Sequence, residues 1–168
     1  VEKVLSETTS IDNEIMYRGV VPVDRPECTV FYCDDSSVAR KQIERTLVAM
    51  GVKGISAVNG RQMWEEMEKV ATYAQSIGKP ASSIISLILT DIEMPEMDGY
   101  ILTKKIKSDP RFNGISVVMH SSLSGMSNQK LGASVGVDEY VPKFEPMRLS
   151  ETLARRQKIE KTVPLIVA

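Results

Sequence analysis

Several features that mark function at a glance are scarce or missing in this chain. It has two cysteines and one histidine in 168 residues. Cys28 and Cys33 are too irregularly placed for a zinc site and too few for the disulfide scaffold of a small secreted protein, so a reducing cytoplasm is the expected compartment. Neither sign of charge prevails: 21 Lys and Arg face 22 Asp and Glu, a net charge of −1. No global basic excess therefore points to nucleic acid. No apolar run approaches the roughly 20 residues of a membrane span, and no secretory signal is visible, so membrane insertion is not expected. No Gly-rich phosphate loop follows any predicted strand, which excludes a nucleotide-binding fold of that kind. Internal repeats and low-complexity runs are also missing. What remains, 42% apolar and 26% charged residues, is the composition of an ordinary globular chain. Its length suffices for one domain with a sizeable core and is short for two.

The composition changes at Thr29. Residues 1–28, interrupted by Thr8 to Ser10, Asn13, Gly19, Pro22 and Pro26, read as an approach segment. Beyond them, β-branched and aromatic runs alternate with helical stripes. Thr29–Cys33 predicts a strand, and Ser36 caps a helix whose stripe is Ala39, Ile43, Leu47 and Met50, closed by Gly51. Ile55–Val58 predicts a second strand and Asn59-Gly60 a turn. A helix follows with Met63, Met67, Val70, Ala71 and Ala74 on one face, stopped by Gly78 and Pro80. Trp64 and Met67 read as core rather than as a ligand-gripping pair. Residues 79–85 read as a loop.

Leu87–Thr90 is a run expected to be buried on both faces, with Asp91 directly after it. Asp98 caps a helix carrying Tyr100, Ile101, Leu102 and Ile106, which Ser108-Asp109-Pro110 ends. Ile115–Met119 predicts the fourth strand. Residues 123–135 form a weak helix on propensity, since Gly125 and Gly132 each cost about 1 kcal/mol relative to Ala. Val137–Val141 predicts the fifth strand, and Pro146 opens a last helix through Leu149 and Leu153 toward Ile159. The domain is thus placed at 29–160, with 161–168 as an uncommitted tail. Five strands alternating with five helices predict an α/β fold, a doubly wound five-stranded parallel sheet with right-handed crossovers.

In such a sheet the carboxyl ends of all strands lie along one edge, where open α/β folds place their chemistry. That edge collects Asp34 and Asp35 after the first strand, Asp91 after the third, Ser121 after the fourth and Lys143 after the fifth. Crowded carboxylates repel one another unless a cation joins them, and oxygen donors without His or Cys suit Mg²⁺. A carboxylate is also a nucleophile toward phosphoryl groups, forming an aspartyl phosphate. The charge on the transferred oxygens then calls for a cation, an ammonium and hydrogen-bond donors. Lys143 supplies the ammonium and Ser121 a hydroxyl. Taken singly, the acid pair reads as a helix cap, Asp98 as a cap and turn former, and the Lys and Ser as surface; their conjunction at four strand ends points to chemistry. His120 could be a metal ligand or phosphate carrier, but reads better as a satisfied strand-end residue. Cys33 could sense oxidation, but reads better as a small buried hydrophobe.

Over roughly residues 29–155 the chain resembles a response-regulator receiver domain. The residues that carry the resemblance are Asp34-Asp35, Asp91 with the loop Met94-Pro95-Glu96-Met97-Asp98-Gly99, Ser121, Tyr140 and Lys143. Within that family, the segments Asp34 to Glu44, Asp91 to Pro95 and His120 to Ser124 look like the receiver of CheV-type chemotaxis coupling proteins. The resemblance implies a flavodoxin-like fold and a cytoplasmic phosphoacceptor of bacterial chemotaxis. Asp91 would take its phosphoryl group from a CheA-like histidine kinase in the chemoreceptor signalling complex. Mg²⁺ would be held by Asp35, Asp91 and the backbone carbonyl of Glu93, with Asp34 acting through water. Ser121 and Tyr140 would be the switch pair, Ser121 moving toward the phosphoryl oxygens and Tyr140 turning into the vacated space.

The same resemblance makes the chain a regulator rather than an enzyme, with at most slow self-phosphorylation and autodephosphorylation. Glu93 and Leu123 would flank the attacking water and set the lifetime, and residues 123–135 with the Tyr140 strand would form the output face. In CheV-type proteins a CheW-like domain comes first, and Val1–Leu5 would be the end of its last helix; a chain opening at Val1 suits a fragment. Two alternatives stand beside this reading. A phosphorylation-independent pseudo-receiver would lack one of the acids, the hydroxyl or the lysine, and none is missing. A haloacid-dehalogenase-type phosphohydrolase needs Asp-x-Asp-x-Thr, where this chain has Asp91-Ile92-Glu93-Met94-Pro95. There are also two departures from the family pattern. Most receivers place a proline after the conserved lysine, joined by a cis bond. Here Pro142 precedes Lys143 and Phe144 follows it, and a cis bond into Phe144 would cost about 3–4 kcal/mol. The stretch between the second helix and the third strand is also longer than usual.

Overall fold

The computed structural model describes residues 29–122 and 129–167, with side chains within 29–122 and 131–156. Five strands form one parallel sheet: β1 (Thr29–Cys33), β2 (Lys53–Ala57), β3 (Ile85–Thr90), β4 (Ser116–Ser121) and β5 (Glu139–Pro142), in the order β2-β1-β3-β4-β5. Every pairing is parallel. The helices are α1 (Ser37–Met50), α2 (Gly60–Ser76), α3 (Gly99–Ser108), α4 (Gln129–Val135) and α5 (Pro146–Val167). The chain order reverses between β1 and β3, and the crevice at the carboxyl edge of such a switch point is where doubly wound sheets bind ligands.

The sheet has a core on each face because strand side chains alternate. Phe31, Ile88 and Val117 point to one side, against Met63 and Met67 of α2 and Leu102 and Ile106 of α3. Val30, Leu87, Leu89 and Val118 point to the other, against Ile43 and Leu47 of α1 and Leu149 and Leu153 of α5. All six residues of β3 are buried, as an unbroken apolar run in a central parallel strand requires. Each large apolar side chain withdrawn from water contributes about 1.5–3 kcal/mol. A third, smaller cluster of Ile92, Tyr100 and Met119, with Val135, Val137 and Tyr140 against it, sits apart from these two.

The caps formed as the sequence implies. Ser36 accepts from the Ala39 N–H, Asp98 from the Ile101 N–H, and Gly51 closes α1 at φ 72°. Asn59 is itself the cap of α2, accepting from Gln62, and Gly60 opens that helix, so the expected turn at Asn59-Gly60 is the helix start. The longer stretch before β3 folds as a short 3-10 helix at Ala81–Ser83. β4 runs on through His120 and Ser121, two residues past the expected end, because β5 continues to pair with it: His120 faces Val141 and Ser121 faces Pro142. The last helix continues past Ile159 to Val167. Residues 1–28 and 123–128, with Val1–Leu5, Leu123 and Gly125 among them, lie outside the described residues. No helix among the described residues is long and apolar enough to cross a membrane.

Candidate functional site at the carboxyl edge

Asp34 follows β1 and is fully buried. The first turn of α1 holds it: its Oδ1 accepts from the Ser36 N–H at 2.8 Å, and the Arg40 guanidinium donates to its carbonyl oxygen at 2.6 Å. Asp91 follows β3, and its N–H donates to the Cys33 carbonyl at 2.9 Å, extending the sheet by one rung. Asp91 is 6% exposed, and its Oδ1 accepts from the Ile92 N–H at 2.8 Å. Asp35 is exposed. One carboxylate oxygen from each of Asp34, Asp35 and Asp91 lies within 4.8 Å of the other two.

Lys143 enters from β5. Its N–H donates to the Ser121 carbonyl at 2.8 Å, which aims the side chain across the edge. The ammonium stands 3.0 Å from Asp34 Oδ2 and 3.1 Å from Asp91 Oδ1. The bond into Phe144 is trans, since no cis peptide occurs among the described residues, and Phe144 takes the left-handed φ of 63°. Lys143 therefore reaches the acids without the proline common in receivers. Ser121 is buried at 2% exposure and donates its hydroxyl to the Ser122 carbonyl at 3.1 Å.

The charges of this edge balance unevenly. Burial pushes the Asp91 carboxyl up to about 6 and Asp34 adds to the rise, against the pull of Lys143 and the Ile92 N–H. Burial would lower the Lys143 ammonium, but its pairs with Asp34 and Asp91 outweigh this and hold it above the usual lysine value. Three acids against the Lys143 ammonium and the Arg40 guanidinium leave an excess of negative charge. Their donors are all oxygens, with no His or Cys among them, the set that hard divalent cations such as Mg²⁺ prefer.

The loop after Asp91 is fixed by close backbone approach. The Gly99 N–H donates to the Ile92 carbonyl at 2.8 Å, and a Cβ on Gly99 would overlap the Asp91 carbonyl oxygen. Only glycine fits there. Asp98 serves as the α3 cap, as its plainer reading proposed. The Glu93 side chain is exposed. Tyr140, half-buried on β5, donates its hydroxyl to the Tyr100 hydroxyl at 3.4 Å.

Two single residues resolve differently. Cys33 is 1% exposed, its thiol points at the Met94 sulfur at 3.2 Å, and burial together with Asp34 and Asp91 pushes it up to about 12. It is the inert small hydrophobe the sequence suggested. His120 is 3% exposed, on the strand face it shares with Val118 of an apolar core cluster, and among the described residues its Nδ1 has no hydrogen-bond partner. Burial and the nearby Lys143 push it down to about 4, so the imidazole is neutral at pH 7.

Sequence reasoning gave no separate role to Arg40, Tyr100 or Gly132. Arg40 carried a usable signal: it stands one turn past the Ser36 cap, where a long side chain can reach back to the strand end. Tyr100 and Gly132 carried none, because their contacts join elements distant in the sequence.

With this geometry in place, comparison with known proteins is informative. A family profile described as the response regulator receiver domain matches residues 30–154. The chain is 34% identical over 117 residues to the chemotaxis protein CheV1 of Helicobacter pylori, covering 70% of this chain and 34% of that protein. It is 33% identical over 122 residues to chemotaxis protein CheY1 of the same organism, covering 71% of this chain and 89% of that protein. It therefore spans about a third of the CheV relative's length. The structure of CheY4 of Vibrio cholerae superposes with a TM-score of 0.64 at 23% identity, over 77% of this chain and 98% of that one, a likeness of fold.

Proposed function

The chain belongs to the response regulator receiver domain family, and from that premise we infer that it is a phospho-accepting switch of bacterial chemotaxis with Asp91 as its acceptor. The donor is a histidine kinase of the CheA type and the setting a cytoplasmic chemoreceptor signalling complex; that two of the relatives are chemotaxis proteins supports the chemotaxis part of this reading. Residues 29–160 are the receiver unit. The observation that carries this reading is the buried Asp91 carboxylate, held by Lys143 at 3.1 Å and grouped with Asp34 and Asp35 at the sheet edge.

Among the described residues, the Ile92 N–H and the Lys143 ammonium both act on Asp91 Oδ1, which leaves Oδ2 as the nucleophile. Oδ2 forms a bond to phosphorus while the bond from phosphorus to the donor histidine nitrogen breaks, and that nitrogen keeps the electron pair. Lys143 opposes the rise that burial imposes on Asp91 and keeps it ionised at neutral pH. Its ammonium then meets the new negative charge on the phosphoryl oxygens. Asp35, Asp91 and the Glu93 backbone carbonyl would hold Mg²⁺, with Asp34 acting through water. When bound, the ion supplies the positive charge this acidic edge lacks. Ser121 turns its hydroxyl from Ser122 toward the phosphoryl group, and Tyr140 moves into the space released. Glu93 and Leu123 set the lifetime of the aspartyl phosphate.

The test is addition of beryllofluoride or acetyl phosphate with Mg²⁺ while following amide shifts at Asp91 and Ile92 and the fluorescence of Trp64. The wild type responds and Asp91→Asn does not. An Asp91→Asn variant that takes up phosphate at the wild-type rate overturns the assignment.

A further inference from the structure

The Tyr140 side chain reaches from β5 to two helices. From β5 it passes over α4 at Gly132, where a Cβ would overlap the Tyr140 hydroxyl and stand 2.6 Å from its Cζ. A weak helix former at that position is what opens a seat for the ring. Beyond the seat, the Tyr140 hydroxyl donates to the Tyr100 hydroxyl in the first turn of α3 at 3.4 Å. Both rings belong to the small cluster with Ile92 and Met119, separate from the two main cores.

Tyr100 is tied to Asp91 by short steps with no flexible side chain between. The Ile92 N–H donates to Asp91 Oδ1. The Ile92 carbonyl accepts from the Gly99 N–H at 2.8 Å, and Gly99 is pressed on the Asp91 carbonyl and bonded to Tyr100. Meanwhile the Ser121 hydroxyl donates to the Ser122 carbonyl. We propose that Tyr100 is the latch of the switch: its hydroxyl holds Tyr140 in the seat over Gly132 while Asp91 is unmodified, and rearrangement of the loop after Asp91 withdraws Tyr100 and frees Tyr140. This rests on the phosphoacceptor reading of Asp91. Tyr100 is a positioning residue, acting through Tyr140.

A latch that stabilises the unmodified state opposes whatever binds the other state better, and removing it tightens that ligand by the same factor. A well-formed hydrogen bond corresponds to a factor of about five, and this one, longer than is usual between hydroxyls, has that as its upper bound. The experiment uses the full chain with Mg²⁺ and beryllofluoride as the probe, titrated into wild type, Tyr100→Phe, Tyr140→Phe and the double variant. Fluorotyrosine at position 140 reports the ring by fluorine NMR. Tyr100→Phe tightens beryllofluoride binding by up to about fivefold and moves the unliganded resonance toward the bound wild-type position. Gly132→Ala, which fills the seat, acts in the same direction. In the Tyr140→Phe background the affinity gain from Tyr100→Phe disappears, as a pairwise coupling requires. Unchanged or weaker binding, or a gain that persists without the Tyr140 hydroxyl, overturns the latch. An unmoved resonance at position 140 overturns it alone, whereas a wild type that binds no beryllofluoride overturns the phosphoacceptor reading and the coupling with it.

Discussion

Lys143 places its ammonium 3.1 Å from Asp91 and 3.0 Å from Asp34 although the residue after it is Phe144 and not proline. Aim comes from the other side of the lysine: its N–H is bonded to the Ser121 carbonyl, so pairing of β5 with β4 sets the direction of the side chain. Among the described residues, Lys143 is the one ammonium shared by two buried acids. Removing it leaves them uncompensated, which costs roughly 3–5 kcal/mol in comparable buried pairs. In metal-free buffer at pH 7, Lys143→Met will lower the urea midpoint accordingly. Because the ammonium competes for the same oxygens as a cation, Mg²⁺ will bind this variant more tightly. Weaker Mg²⁺ binding in a fluorescence titration would contradict that account.

Phe144 carries a local cost. It sits at φ 63° with half its surface exposed, and the left-handed region disfavours a side chain of this kind by about 1–2 kcal/mol. Phe144→Gly removes that penalty but gives up the buried half of the ring, whereas Phe144→Ala gives up the same burial and keeps the Cβ. Thermal unfolding will show Phe144→Gly about 1 kcal/mol more stable than Phe144→Ala, with the Asp91 site intact in both; equal melting temperatures would contradict it.

The Asp91 carboxyl is pushed up from 3.8 to about 6, first by burial and then by Asp34. Its native form therefore holds a proton more tightly than the unfolded chain does. The stability that proton brings is fully present below pH 4 and is lost as pH rises through about 6. Across that window ionisation of Asp91 costs up to about 3 kcal/mol. In metal-free buffer Asp91→Asn will stabilise the protein at pH 7 and lose the advantage near pH 4. Denaturant midpoints at the two pH values check this, and an equal difference at both would refute it.

Much of the site was legible because a parallel sheet gathers its strand ends. The apolar runs at Thr29–Cys33 and Leu87–Thr90 located β1 and β3, and the acids after them needed no further information. Ser36 and Asp98 were readable as caps since capping is local chemistry. Contacts between remote elements were not readable: the seat Gly132 makes for Tyr140 and the bond from Tyr140 to Tyr100 depend on which neighbours the fold supplies. The carboxyl end of β4 was not readable for the same reason, as pairing with β5 carries the strand through Ser121.

Gly99 tests how tightly the loop is held. A Cβ there meets backbone, which cannot swing aside as a side chain can. Overpacking of this kind costs about 1–3 kcal/mol or more, so Gly99→Ala will destabilise the fold and slow phosphorylation of Asp91 together. Urea titration and acetyl phosphate uptake measure the two effects. A variant with wild-type stability and uptake would show the loop to be looser than the contact implies.

The central claim is that Asp91 accepts the phosphoryl group. It is tested most directly by intact-mass measurement after incubation with acetyl phosphate and Mg²⁺, comparing the wild type with Asp91→Asn. The account predicts one phosphoryl group on the wild type, removed by hydroxylamine as an acyl phosphate must be, and none on the variant. A hydroxylamine-stable adduct, or equal uptake by Asp91→Asn, would contradict it.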